Sequence, residues 1–188
     1  MLRFAVVDFG IKRSIIAELY KRNVAVTLFP PCVQAAEILG SGCDAMLLSN
    51  GPGDPAQLTD AVAMAKEVMA LMPVFGICLG HQLITWALGG RTQKMKYGHH
   101  GGNHPVIDLR TNACFVTSQN HLYASQEDSL PPVVAVWLRN ANDNSIEGLY
   151  HTTLPIRCVQ FHPEASPGPQ DATGIFDVFI QTVQEHKA

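Results

Sequence analysis

Short apolar runs alternate with helix-patterned stretches through the first half of the chain, and this alternation constrains the fold more than any other feature. Phe4 to Asp8, Val24 to Phe29, Ala45 to Ser49 and Val74 to Ile77 are compact apolar runs. Between and after them, Ser14 to Lys21, Ala35 to Leu39, Asp60 to Leu71 and Gly80 to Leu88 carry helical periodicity, the last closed by Gly89-Gly90. Strands that are apolar on both sides need cover on both sides. Strand and helix in strict alternation therefore predict an α/β fold, an open mostly parallel sheet with flanking helices of flavodoxin-like type.

The second half changes character. Val106 to Leu109, Cys114 to Thr117, Val133 to Leu138, Ile146 to Tyr150 and Arg157 to Phe161 read as short strands separated by turns. Asn140-Ala141-Asn142-Asp143-Asn144 is a strong turn cluster. These strands are expected to extend the sheet or to form a small antiparallel addition, with Asp171 to Glu185 as a closing amphipathic helix. With 188 residues and no linker or repeat, one domain spanning 1–188 is expected.

Composition narrows the partners. The formal net charge is -3, which gives no basis for binding nucleic acid or an anionic membrane surface. No apolar run reaches the roughly 18 residues that span a bilayer, and the first residues show no signal-peptide pattern. The expected location is cytoplasmic. There are five cysteines, Cys32, Cys43, Cys78, Cys114 and Cys158, with no CxxC pair. A disulfide framework is not expected, and most of these side chains should be small buried hydrophobes.

Cys78 is the exception. Gly76-Ile77-Cys78-Leu79-Gly80 has the form G-x-C-x-G at the junction of a strand and a helix, the layout of a nucleophile elbow. The glycines leave room for a sharp turn that holds the middle residue strained. Its side chain would then point into the crevice at the carboxyl edge of the sheet. The helix N-terminus favours a thiolate there, and the Leu79 N–H faces the place where an oxyanion would form. A buried structural cysteine between two packing glycines is the alternative.

A nucleophilic cysteine needs a histidine, and the histidine needs an orienting group. Of eight histidines, the one in Phe161-His162-Pro163-Glu164 follows a strand. Pro163 biases His162 toward extended backbone, and side chains at i and i+2 then share a side. Glu164 is thus placed to orient His162. A surface turn is the alternative. His99, His100 and His104 cluster in a glycine-rich stretch, but their spacing matches no standard ligand set, and a close-packed loop without metal is expected. His121 either lines a pocket or is a satisfied, partly buried histidine, and His81 is assigned to packing. Ser49-Asn50-Gly51-Pro52-Gly53-Asp54-Pro55 is neither a Walker A loop nor GxGxxG. Its exposed N–H groups can form an anion-binding nest beside the elbow, or the segment is a plain turn.

Together these pieces resemble a class I (triad) glutamine amidotransferase domain, and more narrowly the glutaminase domain of the carbamoyl-phosphate synthetase small subunit. The resemblance rests on Leu48 to Pro55, on Pro73 to Gln82, on Lys94-Met95-Lys96-Tyr97-Gly98-His99-His100-Gly101-Gly102-Asn103-His104-Pro105-Val106, on Thr117 to His121, and on His162-Pro163-Glu164-Ala165-Ser166-Pro167-Gly168-Pro169. It implies hydrolysis of L-glutamine through a thioester on Cys78, with His162 and Glu164 completing a triad. It implies an oxyanion hole from backbone groups of Gly51 and Leu79, and glutamine contacts from Gly53, Gln82, Asn120, Leu122 and Tyr123. The ammonia would pass to a synthetase large subunit, the partner that uses ATP and metal ions to make carbamoyl phosphate for arginine and pyrimidine synthesis. No cofactor is expected in this chain.

Two departures from the family pattern stand out. The family's small subunit carries an N-terminal domain before the glutaminase domain, and here the sequence starts directly at the glutaminase. The family also has glycine and then an aromatic after Asn-His, where this chain has Leu122 and Tyr123. A leucine there implies a tighter or altered pocket. The competing functional classes are other triad amidotransferases, a γ-glutamyl hydrolase, and a degenerate subunit that docks or regulates.

Overall fold

The computed structural model describes residues 1–165 and 167–187; Ser166, part of the motif after Glu164, and Ala188 lie outside the described residues. The first strands and helices follow the alternation of the sequence. They are β1 (Leu2–Val7), α1 (Arg13–Lys21), β2 (Val24–Phe29), α2 (Ala35–Leu39), β3 (Ala45–Leu48), α3 (Thr59–Met69), β4 (Val74–Ile77) and α4 (Leu79–Ala87). The second half adds β5 (Thr92–Asp108), β6 (Cys114–Ser125), β7 (Val134–Asn140), β8 (Ile146–His151), β9 (Ile156–Val159) and α5 (Ile175–Lys187).

Among the described residues all nine strands form one sheet, in the order β2-β1-β3-β4-β9-β8-β7-β5-β6. β1 pairs in parallel with β2 and β3, β3 with β4, and β4 with β9. From β9 onward the pairing is antiparallel, through β8, β7, β5 and β6. The antiparallel strands therefore extend the parallel sheet.

The two faces of the sheet carry separate cores, and strand alternation sorts residues between them. Ala5, Val7, Met46, Leu48 and Val74 face α2, α3 and α4, packing on Ile38, Met64, Val68 and Leu83. Phe4, Val6, Leu47, Phe75 and Ile77 face α1 and α5, packing on Ile15, Leu19, Phe176 and Phe179. Phe75 stacks on Phe179 with ring centroids 4.5 Å apart. Burying each such ring stabilises the fold by roughly 2–3 kcal/mol. These cores fix β4 and α4 rigidly, and the junction between them is where Cys78 stands.

Three sequence expectations are corrected by the structure. The stretch from Gly98 to His104 is not a close-packed loop: it lies within β5, paired with β6 as a long hairpin with register shifts at Lys94/His99 and Gly101/His104. β6 likewise runs on past Thr117, so Asn120, Leu122 and Tyr123 are strand residues. The cysteines are also less buried than expected. Only Cys78 and Cys158 are buried; Cys43 is partly covered, and Cys32 and Cys114 are exposed. Cys32 and Cys114 lie in segments outside both cores, and no packing demand draws them inside.

Candidate active site

Cys78 is the residue between β4 and α4, with φ 56° and ψ -105°. Such a conformation is costly for a residue with a side chain and persists only where the surroundings impose it. The flanking glycines explain how. A Cβ on Gly76 would lie 2.5 Å from the backbone of Gly80, and a Cβ on Gly80 would lie 2.1 Å from the Leu48 carbonyl oxygen. The Cys78 N–H donates to the Val159 carbonyl (2.9 Å) and the Gly80 N–H to the Ser49 carbonyl (3.1 Å). The elbow is thus stitched to both neighbouring strands. Its thiol faces the Asn120 carbonyl at 3.9 Å.

His162 and Glu164 follow β9, the strand beside β4. The His162 N–H donates to the Ser118 carbonyl (2.8 Å), which ties the segment to β6. His162 Nδ1 lies 2.8 Å from Glu164 Oε1, and both side chains are buried. Burial disfavours the imidazolium, but hydrogen bonds and charge from Cys78 and Glu164 outweigh it and raise the His162 pKa to about 9. With Nδ1 committed to Glu164, the hydrogen-bond network leaves Nε2 for the thiol. The structure therefore brings Cys78, His162 and Glu164 together as the sequence pattern anticipates.

A fourth residue joins them. Lys12 Nζ, from the turn before α1, lies 3.4 Å from Glu164 Oε1. A cation there helps hold the carboxylate in position beside His162. Nothing in the sequence marks this contact, because Lys12 sits far from Glu164 along the chain. Glu164 Oε2 is buried and has no partner among the described residues.

The thiol opens into a cavity of about 410 Å³ lined by Gly51, Gly53, Gln82, Asn120, Leu122 and Tyr123. The volume falls in the usual range for small-molecule sites. Pro52, Asp54, His100 and His121 also line it. The sequence leaves His121 as either a pocket residue or a satisfied buried one; it is both, since its ring bonds to the Tyr123 carbonyl and to Gln119. His100 Nδ1 holds the Asn120 side chain at 2.9 Å. Gln82 Nε2 donates to the Tyr123 carbonyl (3.0 Å) and to Gln160 (3.1 Å), fixing β6 against α4 and β9.

Gly51 is required by close approach: a Cβ there would lie 2.4 Å from the Phe9 carbonyl oxygen and 2.9 Å from Leu79 Cδ2. Gly53 has φ 111°, a backbone conformation that favours glycine. The side chain of Leu79 is buried in the core. Its N–H stands at the first position of α4, where helix geometry provides no acceptor. His81, on the same helix, is packed as expected, bonded to Ser125 and to Cys158; burial lowers its pKa to about 3.

Comparisons with known proteins give the family and the fold. The family model for glutamine amidotransferase class-I matches residues 5–182. The chain belongs to the class I glutamine amidotransferase family. It is 47% identical over 184 residues to a carbamoyl phosphate synthase small chain of Bacillus caldolyticus, covering 97% of this chain and 50% of the relative. It is 48% identical over 182 residues to the carbamoyl phosphate synthase pyrimidine-specific small chain of Bacillus subtilis, covering 97% of this chain and 50% of the relative. The chain thus spans about half the length of the curated relatives it matches. Among solved structures it is similar to a putative GMP synthase protein from Thermoplasma acidophilum, with TM-score 0.86, 25% identity, and coverage of 100% of this chain and 96% of that one. A glutamine amidotransferase from Thermotoga maritima shares the fold at TM-score 0.69 and 15% identity, over 99% of this chain and 85% of that one. No helix among the described residues is long and apolar enough to cross a membrane.

Proposed function

We propose that this chain hydrolyses L-glutamine to glutamate and ammonia, with Cys78 as nucleophile, His162 as general acid and base, and Glu164 as the group that orients His162. The observation that carries the proposal is the strained elbow at Cys78, with the buried His162–Glu164 pair beside it and a cavity of glutamine-compatible size in front. The thiolate attacks the side-chain amide carbon. The negative charge that develops on the amide oxygen is met by the backbone N–H groups of Gly51 and Leu79. His162 then gives its proton to the departing nitrogen, and ammonia leaves a γ-glutamyl thioester on sulfur. Water, deprotonated by His162, attacks the thioester. Glutamate departs and the thiolate is restored.

Gly53, Gln82, Asn120, Leu122 and Tyr123 form the glutamine-binding wall in this proposal. The chemistry at sulfur calls for no cofactor from this chain. The strong similarity to carbamoyl phosphate synthase small chains supports a specific destination for the ammonia: a synthetase large subunit that makes carbamoyl phosphate for pyrimidine and arginine synthesis. Glutamine hydrolysis by the purified chain, with and without such a large subunit, tests both levels. Hydrolysis that depends on Cys78, with carbamoyl phosphate formed only when the large subunit is present, is the expected result. Full activity in Cys78→Ala would sink the mechanism. Cysteine-dependent hydrolysis with no transfer to the large subunit would sink the partner alone.

A further inference from the structure

One charged side chain on the cavity wall has no part in the chemistry at sulfur. Asp54 is the sole carboxylate among the residues that line the cavity with Cys78. Of the other lining residues, His121 brings no charge, because burial lowers its pKa to about 3. Asp54 ends the glycine turn and precedes Pro55, which biases it toward extended backbone; it has φ -94° and ψ 119°. From there its Oδ1 accepts the Ala56 N–H at 3.0 Å and caps the short 3-10 turn Pro55–Gln57. That bond holds the half-buried side chain in place and leaves Oδ2 for a ligand. Among the described residues no lysine, arginine or histidine forms an ion pair with it.

Capping accounts for an oxygen at this position but not for a charge, since asparagine and serine cap as well as aspartate. A carboxylate on the wall of a substrate cavity favours a cation in the ligand. Its field is felt across the cavity: the Tyr123 hydroxyl pKa is raised, by desolvation and then by the nearby Asp54 carboxylate. L-Glutamine carries a cation of the right kind. Its carboxamide reacts at one end, and an α-ammonium stands at the other, beyond two methylenes. The reacting end belongs beside Gly51, where the turn packs against Leu79 at the start of α4. Asp54 lies three residues further along the same turn, on the same cavity wall. The turn therefore presents a backbone N–H at one end and a carboxylate at the other.

We propose that the Asp54 carboxylate is the counter-ion of the substrate's α-ammonium, and that it makes the site select amides bearing a free α-amino group. This rests on the glutaminase reading and adds to it the basis of recognition at the far end of the substrate. An ammonium donating to a carboxylate forms a charge-assisted hydrogen bond, stronger than a bond between neutral groups. Glutaramate, which is glutamine without its α-amino group, offers Asp54 no cation and brings only its own carboxylate, so it is disfavoured twice. A glutamine side chain within a polypeptide is rejected on the same ground, because its α-nitrogen is an uncharged amide. Specificity of this kind comes from leaving a charged group without its partner when the wrong ligand binds.

The test compares kcat/KM for L-glutamine and for glutaramate, read as ammonia release, in the wild-type chain and in Asp54→Asn. Asparagine keeps the capping oxygen and removes only the charge. For glutamine kcat/KM should fall about tenfold or more, chiefly through KM, while the glutaramate value holds or rises. The preference for glutamine then shrinks about tenfold or more, which isolates the pairing of Asp54 with the ammonium. Asp54→Ser, which also keeps a capping oxygen, should behave alike and serves if the asparagine variant does not fold. Equal losses for the two substrates would make Asp54 a structural cap and overturn the proposal, as would an unchanged preference. Wild-type hydrolysis of glutamine with an unmoved preference sinks the Asp54 assignment alone. A wild-type chain with no Cys78-dependent hydrolysis sinks the glutaminase reading and this assignment with it.

Discussion

His162 is held as an imidazolium by neighbours that outweigh its burial, and this has a consequence for the pH profile. Its pKa is raised from 6.5 to about 9, so its charged form contributes fully to stability below pH 6.5 and that contribution is lost as pH rises through 9. The same proton is the one handed to departing ammonia. The alkaline limb of kcat/KM should therefore fall with an apparent pKa near 9, a value that belongs to the Cys78–His162 pair as a unit. A limb near the ordinary histidine value would contradict the ion pair. Cys78→Ala should abolish hydrolysis, and His162→Asn should lower kcat by about 100-fold or more, measured by glutamate release. Leu122 is exposed on the cavity wall, with its Cδ2 2.9 Å from where a Gly98 Cβ would lie. Leu122→Gly should lower KM for glutamine severalfold with kcat little changed; an unchanged KM would mean that the leucine lies outside the path of the substrate.

The elbow is an element-scale device, in which a strand, a helix and two close approaches hold one residue out of its preferred conformation. Gly80→Ala pushes a Cβ into the Leu48 carbonyl and should cost about 1–3 kcal/mol, with loss of activity as the elbow shifts. Cys78→Gly relieves the strained backbone where Cys78→Ala does not. In urea unfolding the glycine variant should be more stable than the alanine variant by about 1 kcal/mol, and the reverse order would contradict strain at this position. The elements of the α/β half are legible in the sequence because burial on both faces produces compact apolar runs. The arm of β5 from Thr92 to Pro105 is not legible, because of its residues only His99 is buried and no apolar alternation marks it. The Cys78 and His162 motifs could be read because local backbone chemistry dictates them. The Lys12 contact could not, since Lys12 follows β1 and meets Glu164 only across the carboxyl edge of a sheet in which β3 and β4 separate β1 from β9.

At the scale of the molecule, the parallel half supplies the nucleophile and the glycine turn, and the antiparallel half supplies the far wall of the pocket. His162 joins them through its bond to Ser118 on β6. The two cores that rigidify this arrangement also enclose polar groups whose protonation matters. His81 is fully buried, with a pKa lowered to about 3. It is neutral in the folded state, so the contribution is present above pH 6.5 and is lost as pH falls toward 3, at about 1.4 kcal/mol per pH unit. In urea titrations the acid slope of stability should be shallower by that amount in His81→Asn, and an unchanged slope would contradict the buried neutral ring. The central claim concerns Cys78 among five thiols, two of which, Cys32 and Cys114, are exposed while Cys78 is buried. Mass spectrometry after brief treatment with a glutamine-mimicking alkylator should find the adduct on the peptide bearing Cys78, with labelling suppressed by glutamine. An adduct on Cys32 or Cys114, or labelling of Cys78 that glutamine does not suppress, would contradict it.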